Sequence, residues 1–416
     1  IPVQPSRFIS FFLIVSLKKT DFKNGKKEPT FHTQVFVLGV QQAPEEGVIR
    51  SIIREKEAEE GRKRQYARSP AKGGKMTTRP LRFPEIDAEL RRIVNANMEE
   101  VPARRRAREA FKDIQLNVDH ILFKTPSDGL KVNEAYEVNS RGVEIFTKRW
   151  LPETPKAMIC FCHGYGDTCS FFFEGIARKF ALSGYGVFAM DYPGFGLSEG
   201  LHGYIPSFDT IVDDVIEHYN KVKGDPEFQN LPSFLFGQSM GGAVVLKVHL
   251  KQPNAWSGGI LVAPMCKIAD DMVPPWAVKQ FLIGIANFLP KHKLVPQKDL
   301  AEAAFREPKK RELAAYNVIA YKHKPRLRTA LEMLETTKQI EQRLEDVSLP
   351  LLILHGEADI VTDPSVSKAL YEKAKSSDKT LKLYKDAFHS LLEGEPDETI
   401  TQVFNDIISW LDQHCK

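Results

Sequence analysis

Residues 234–246 read Phe-Leu-Phe-Gly-Gln-Ser-Met-Gly-Gly-Ala-Val-Val-Leu, and this stretch decides the fold. Three apolar residues, Phe234 to Phe236, run into the pentapeptide Gly237-Gln238-Ser239-Met240-Gly241, and Gly242-Ala243-Val244 opens a helical run. A serine on a sharp strand-to-helix turn has a strained backbone. The residues two before and two after it must be small because the flanking backbones crowd together. The pattern therefore predicts Ser239 as a nucleophile presented at the carboxyl end of a strand. The bland alternative is a glycine turn of purely structural use, and the strand-turn-helix setting argues against it.

Outward from this stretch, short apolar strands alternate with helices. Ala157 to Cys162, Val187 to Met190 and Gly259 to Val262 read as strands, while Phe171 to Ser183, Phe208 to Val222 and Ala243 to Leu250 read as helices. This alternation predicts an α/β fold, a mostly parallel sheet flanked by helices, with ligands bound at the carboxyl ends of its strands. Glu134 to Val138 and Val143 to Trp150 flank a turn and predict a hairpin ahead of it. The alternation stops at Pro264 and resumes at Leu349. Residues 265–348 have helical periodicity broken by several prolines, and they are too long for a simple loop. The expected organisation is an N-terminal extension over 1–75, unstructured or outside the folded unit, a helical leader over 76–130, the core over 131–264 and 349–416, and an inserted helical cap over 265–348.

Charge and composition narrow the function. Residues 1–75 hold 15 basic and 8 acidic side chains, so a total net charge of +4 leaves the remainder slightly acidic. No dense basic stripe is available for a phosphate backbone, and nucleic-acid binding is not expected. The five cysteines, Cys160, Cys162, Cys169, Cys266 and Cys415, show no pairing rhythm and suggest reduced thiols in a reducing, cytoplasmic setting. No apolar run reaches the length of a transmembrane helix. Phe8 to Leu17 looks like a signal core but is closed by Lys18 and Lys19, and the first methionine is Met76. Organellar targeting by residues 1–75 is the rival to an upstream extension, opposed by Asp21, Glu28, Glu45 and Glu46. In the leader, Ile86, Leu90, Ile93 and Val94 recur at helical spacing, with Arg91, Arg92 and Arg104 to Arg108 expected on solvated faces.

A serine hydroxyl needs a general base, and the base needs an acid to orient it. After an elbow of this type the acid and then the histidine follow along the chain. Asp359, in His355-Gly356-Glu357-Ala358-Asp359, follows the strand Leu351 to Leu354, and His389 follows the strand Leu381 to Tyr384. Glu357 and Asp363 compete for the acid role; the first lies in the turn and the second precedes Pro364 at a helix start. Asp386 reads as a turn residue, and His163 and His355 as braces of their loops. Two backbone donors must face the oxyanion. Met240 is expected to supply one, and Tyr165, in His163-Gly164-Tyr165-Gly166-Asp167, the other.

These segments, with Asp191-Tyr192-Pro193-Gly194-Phe195-Gly196-Leu197-Ser198 and the run from His389 to Glu398, resemble the α/β-hydrolase fold. More narrowly they resemble the monoacylglycerol lipase family and its plant branch, which includes caffeoylshikimate esterase; the similarity spans roughly Lys131 to Cys415. The resemblance implies a serine ester hydrolase that needs no metal or organic cofactor and takes a small lipid or phenolic ester. Asp167 matches the family's acidic residue in the oxyanion loop. Phe171 stands where mammalian-type members carry an arginine near the glycerol head. The plant acyltransferase motif, a histidine followed after four residues by aspartate, is absent at every histidine. In the cap, Trp276, Phe281 and Leu282 belong to an apolar stretch expected to line an acyl or aromatic pocket, with a peripheral membrane contact as a second use. The rival functions are a serine aminopeptidase and a catalytically silent ligand-binding module on the same fold.

Overall fold

The computed structural model describes residues 10–23, 26–39, 88–266, 276–295 and 300–415. The chain divides into two compact units, 1–80 and 81–416. In the first, strands β1 (Ser10–Lys23) and β2 (Lys26–Gly39) pair antiparallel, with Ser10 opposite Gly39 and Lys23 opposite Lys26. No alternating period is legible there because apolar residues run consecutively from Phe11 to Val15. The sequence signal for a hairpin is the Asn24-Gly25 dipeptide between the strands.

The second unit begins with two helices, α1 (Ala88–Val94) and α2 (Val101–Leu116), and then a hairpin of β3 (Lys131–Val138) and β4 (Glu144–Leu151). The alternating body follows as β5 (Ala157–Cys162), α3 (Phe172–Leu182), β6 (Tyr185–Met190), α4 (Phe208–Lys223), β7 (Ser233–Gln238), α5 (Met240–Lys251) and β8 (Gly258–Val262). Helices α6 (Trp276–Phe288), α7 (Leu300–Ala304), α8 (Pro308–Leu313) and α9 (Leu327–Glu341) occupy the inserted segment. The body closes with β9 (Leu351–Gly356), α10 (Pro364–Lys373), β10 (Lys379–Tyr384) and α11 (Asp397–His414).

The eight strands of this unit form one sheet in the order β10-β9-β8-β7-β5-β6-β4-β3. The six from β10 to β6 are parallel, and β4 and β3 run antiparallel at one edge. Every residue of β5 to β9 is buried, as a sheet covered by helices on both faces requires. The pleat sends alternate side chains to two cores. Ile159 and Phe161 join Phe180, Phe236 and Phe404 on one face, while Cys160 and Cys162 join Phe188, Leu235 and Ile353 on the other.

The solvated arginine face expected on the leader is corrected at two positions. Arg104 is fully buried, and its guanidinium donates to the carbonyls of Gly196 at 2.6 Å, Ser198 at 2.8 Å, Met98 at 3.0 Å and Glu99 at 3.1 Å. Arg108 is also buried and pairs with Glu134. The reason is helical geometry. Ala103, Arg104, Ala107, Arg108 and Phe111 fall on one stripe of α2, and that stripe faces the body. Burial draws the Arg104 guanidinium down to about 10, against the charges of Asp191 and Glu99, which favour it.

Arg104 thus ties the leader to the segment after β6. Replacing it by leucine leaves buried carbonyls without donors, and Arg104→Leu is expected to cost about 3 kcal/mol of unfolding free energy in a urea titration. Arg106, exposed on the same helix, is the control: Arg106→Leu is expected to cost under about 0.5 kcal/mol. Equal losses for the two variants would contradict this role.

Candidate active site

Ser239 links β7 to α5 with φ 54° and ψ −119°, a region that a residue with a Cβ occupies only under strain. Three hydrogen bonds hold it there: its amide donates to Val262 O at 3.0 Å, and its carbonyl accepts from Gly242 N and Met265 N at 2.9 Å each. Glycine is required at 241 because a Cβ there would lie 1.8 Å from the carbonyl oxygen of Cys162. The close approach of α5 to β5 puts the helix N-terminus, with the Met240 amide, beside the loop that leaves β5. Position 164 of that loop is within van der Waals reach of the Ser239 side chain.

That loop is fixed at both ends. His163 is buried, its Nδ1 hydrogen-bonded to Gly164 O at 2.8 Å, and its Nε2 accepts from Tyr192 N at 3.1 Å, so it braces the loop as expected. Gly166, at φ +81°, accepts from Tyr321 N of the inserted segment at 2.7 Å. Between them the Tyr165 ring packs on Phe195 and Tyr321 while its hydroxyl donates to Gly203 O at 3.3 Å. Among the described residues, neither the Tyr165 amide nor the Met240 amide has a hydrogen-bond acceptor.

Asp359 and His389 follow β9 and β10, on the same carboxyl-end rim as Ser239. The His389 ring donates from Nδ1 to Asp359 Oδ2 at 2.7 Å, which leaves Nε2 as its acceptor nitrogen. Asp359 is buried and takes further donors from Val361 N at 2.7 Å, Thr362 N at 3.1 Å, Thr362 Oγ1 at 2.9 Å and His355 Nε2 at 3.1 Å. Burial alone would raise its carboxyl pKa, but the charge of His389 and the hydrogen bonds from His355 and His389 outweigh it and hold the group well below the ordinary range. His355 receives Ser367 Oγ at its Nδ1 at 2.7 Å, which fixes the tautomer that faces Asp359. The competing acids are occupied elsewhere. Asp363 caps α10, accepting from Ser365 N at 2.7 Å, Glu357 is exposed, and Asp386 sits in a turn at φ 57°.

Thr362 and Glu393 carry parts that the sequence does not reveal. Thr362 follows Asp359 by three residues, a spacing that suits a side chain closing a turn on its own carboxylate. Glu393 is buried, accepts from Gln238 Nε2 at 2.7 Å, and has its other oxygen without a partner among the described residues. Burial pushes the Glu393 carboxyl up to about 8, and the charge of Asp167 adds to this. Asp167 accepts from Thr168 N at 2.8 Å and Asn317 Nδ2 at 3.4 Å, and crowding by protein pushes it up to about 7. Phe171 is buried with its ring 5.3 Å from Phe123 and 4.4 Å from Phe172. Trp276, Phe281 and Leu282 are on α6, and their side chains lie outside the described residues.

Comparison with known proteins agrees with this architecture. A family model described as serine aminopeptidase, S33 matches residues 153–397. The chain is 35% identical over 296 residues to caffeoylshikimate esterase of Arabidopsis thaliana, covering 70% of this chain and 88% of that one. It is 32% identical over 281 residues to monoglyceride lipase of Homo sapiens, covering 66% and 89%. A crystal structure of a soluble variant of monoglyceride lipase from Saccharomyces cerevisiae, in complex with a substrate analog, superposes with a TM-score of 0.61. At 22% identity, covering 68% of this chain and 95% of that one, it shows a shared fold.

The two raised carboxyls give a signed pH effect. Between the ordinary carboxylate value near 4 and about 8, the folded chain holds more protons at Asp167 and Glu393 than the unfolded chain, so stability falls as pH rises through that window. Asp359 is shifted the other way, and its contribution is lost only on the acid side of that window. Melting temperature is expected to decline from about pH 5 to about pH 8, and Glu393→Gln to flatten the decline. An unchanged slope in the variant would contradict the burial of Glu393 as a neutral acid.

Proposed function

The chain belongs to the serine aminopeptidase, S33 family of α/β-hydrolases, and on that premise we propose that Ser239, His389 and Asp359 carry an ester hydrolysis through an acyl-enzyme. The protein is a serine carboxylic ester hydrolase. The observation that supports the assignment of roles is the 2.7 Å bond from His389 Nδ1 to Asp359, which leaves Nε2 to serve the serine on the same rim. In this reading Ser239 Oγ attacks the ester carbonyl carbon while His389 Nε2 takes its proton. The carbonyl oxygen, now an anion, is received by the two uncommitted amides of Tyr165 and Met240. The tetrahedral species collapses, the alkoxide leaves with the proton from His389, and a water attacks the acyl-serine by the same route in reverse. Asp359 stays ionised throughout and stabilises the imidazolium.

The substrate class follows from the relatives and from the half-matched head-group site. A monoacylglycerol-like or hydroxycinnamoyl ester would place its acyl or aromatic part against Trp276, Phe281 and Leu282, and its alcohol near Asp167. With Phe171 in place of an arginine, the alcohol site has lost a cation. An aminopeptidase would need a charged acid to grip the substrate's amino terminus, and near neutral pH Glu393 is largely protonated and Asp167 about half so. The free thiols, four of them buried, support a cytoplasmic location, and no helix among the described residues is long and apolar enough to cross a membrane. Phe288, 86% exposed, and Leu294, 53% exposed, support a peripheral membrane contact of the cap.

Ser239→Ala is expected to lower kcat by about 10⁴-fold or more with the melting temperature almost unchanged. Asp359→Asn is expected to cost a similar order, while Asp363→Asn stays within about threefold of wild type. Rates for a panel of monoacylglycerols, hydroxycinnamoyl esters and a short acetate ester measure all three and rank the substrates. Retention of about a tenth of the rate by Ser239→Ala would refute the nucleophile.

A further inference from the structure

A second cavity lies away from this rim. It encloses about 440 Å³ between α2, the hairpin β3-β4 and the start of α3. In the sheet order, β4 stands three strands from β7, about 14 Å at ordinary strand spacing, and no residue of the triad or of the oxyanion pair lines the cavity, although Phe171, placed above beside the alcohol site, does. Four cations face it, Arg108, Lys112, Lys148 and Arg178, against two carboxylates, Glu134 and Glu174. The carboxylates are already shared. Lys148 reaches Glu134 at 2.7 Å and Glu174 at 2.5 Å, Arg108 pairs with Glu134, and Arg178 holds Glu174 at 2.9 Å. Lys112, half-buried, makes no ion pair within 4 Å among the described residues, although its charge acts on Glu134.

The cavity is open on one side, where Ser127 and Val132 are exposed, and Arg108 has a further partner in Glu109 at 3.5 Å; four cations against these three carboxylates still favour an anion. Its apolar wall includes Phe123 and Phe171, whose rings lie 5.3 Å apart with 38° between their planes, a surface on which a flat ring can pack. The volume falls within the range of small-ligand sites. We propose that this cavity binds a small aromatic carboxylate, with the carboxylate held by Lys112 and Arg178 and the ring against Phe123 and Phe171. The carboxylate supplies the missing negative charge; Arg178 already gives Nε and Nη2 to Glu174 and would add a donor from Nη1. The proposal does not rest on the esterase reading, since Ser239, Asp359, His389 and the amides of Tyr165 and Met240 take no part in it and Phe171 serves only as an apolar wall.

Calorimetric titration of cinnamate into the full-length protein tests it. One saturable site is expected, weakened at least tenfold by Lys112→Glu and to a lesser degree by Lys112→Met, and weakened by added salt. Cinnamyl alcohol, the same ring without the charge, is expected not to bind there. Ester hydrolysis and melting temperature of the Lys112 variants are expected to match wild type; should Lys112→Glu fold poorly, Lys112→Met decides. Absence of saturable binding up to about 10 mM, binding indifferent to Lys112, or equal binding of the alcohol would each overturn the proposal.

Discussion

The carbonyl oxygen of Cys162 leaves no room for a side chain at position 241, and much of the site depends on that contact. Because α5 can lie so close to β5, the turn between β7 and α5 is tight enough to force Ser239 to a positive φ. The strain lifts the hydroxyl off the sheet and points the first amide of α5 toward the neighbouring loop. That loop is pinned from below by His163 and from above by Tyr321, whose amide takes up the Gly166 carbonyl. A strained residue persists only where its surroundings over-determine it, and here the bonds from Ser239 to Val262, Gly242 and Met265 do so.

The same logic of over-determination governs the acid. Asp359 accepts five hydrogen bonds, from two backbone amides, one hydroxyl and two histidines. Such a carboxylate is held ionised inside the protein and cannot rotate, so the imidazole it faces is held in one tautomer and one orientation. Asp167 and Glu393 belong to segments of the same machinery yet have the opposite environment: burial raises both, the charge of Asp191 adds to it at Asp167 and that of Asp167 at Glu393, and few donors offset it. One fold thus keeps Asp359 charged, Glu393 largely neutral and Asp167 between them near neutral pH, according to whether donors and positive charge outweigh burial.

Much of this was legible in the sequence because the strands are buried on both faces and therefore read as uninterrupted apolar runs. The elbow glycines, the histidine and the acid each follow such a run, which located Ser239, Asp359 and His389 at strand ends. What escaped is chemistry that depends on three-dimensional pairing. Arg104 and Arg108 read as solvated side chains because charge normally stays in water, and only the body packed against α2 supplies the carbonyls and the carboxylate that satisfy them. Thr362 looks unremarkable until its hydroxyl is seen on Asp359, and His355, read as a brace of its loop, is also a donor to that carboxylate. Glu393, in a charged run, gives no sign that it is buried against Gln238. The hairpin over 10–39 was hidden by consecutive rather than alternating apolar residues, although its Asn-Gly dipeptide was visible.

Mass spectrometry of the protein quenched in acid during turnover of a slow ester tests the central claim most directly. The account predicts an added mass equal to the acyl group, on the peptide that contains Ser239, which decays as free acid appears. An enzyme that hydrolyses the ester with no adduct at Ser239, or with an adduct on another residue, would contradict it.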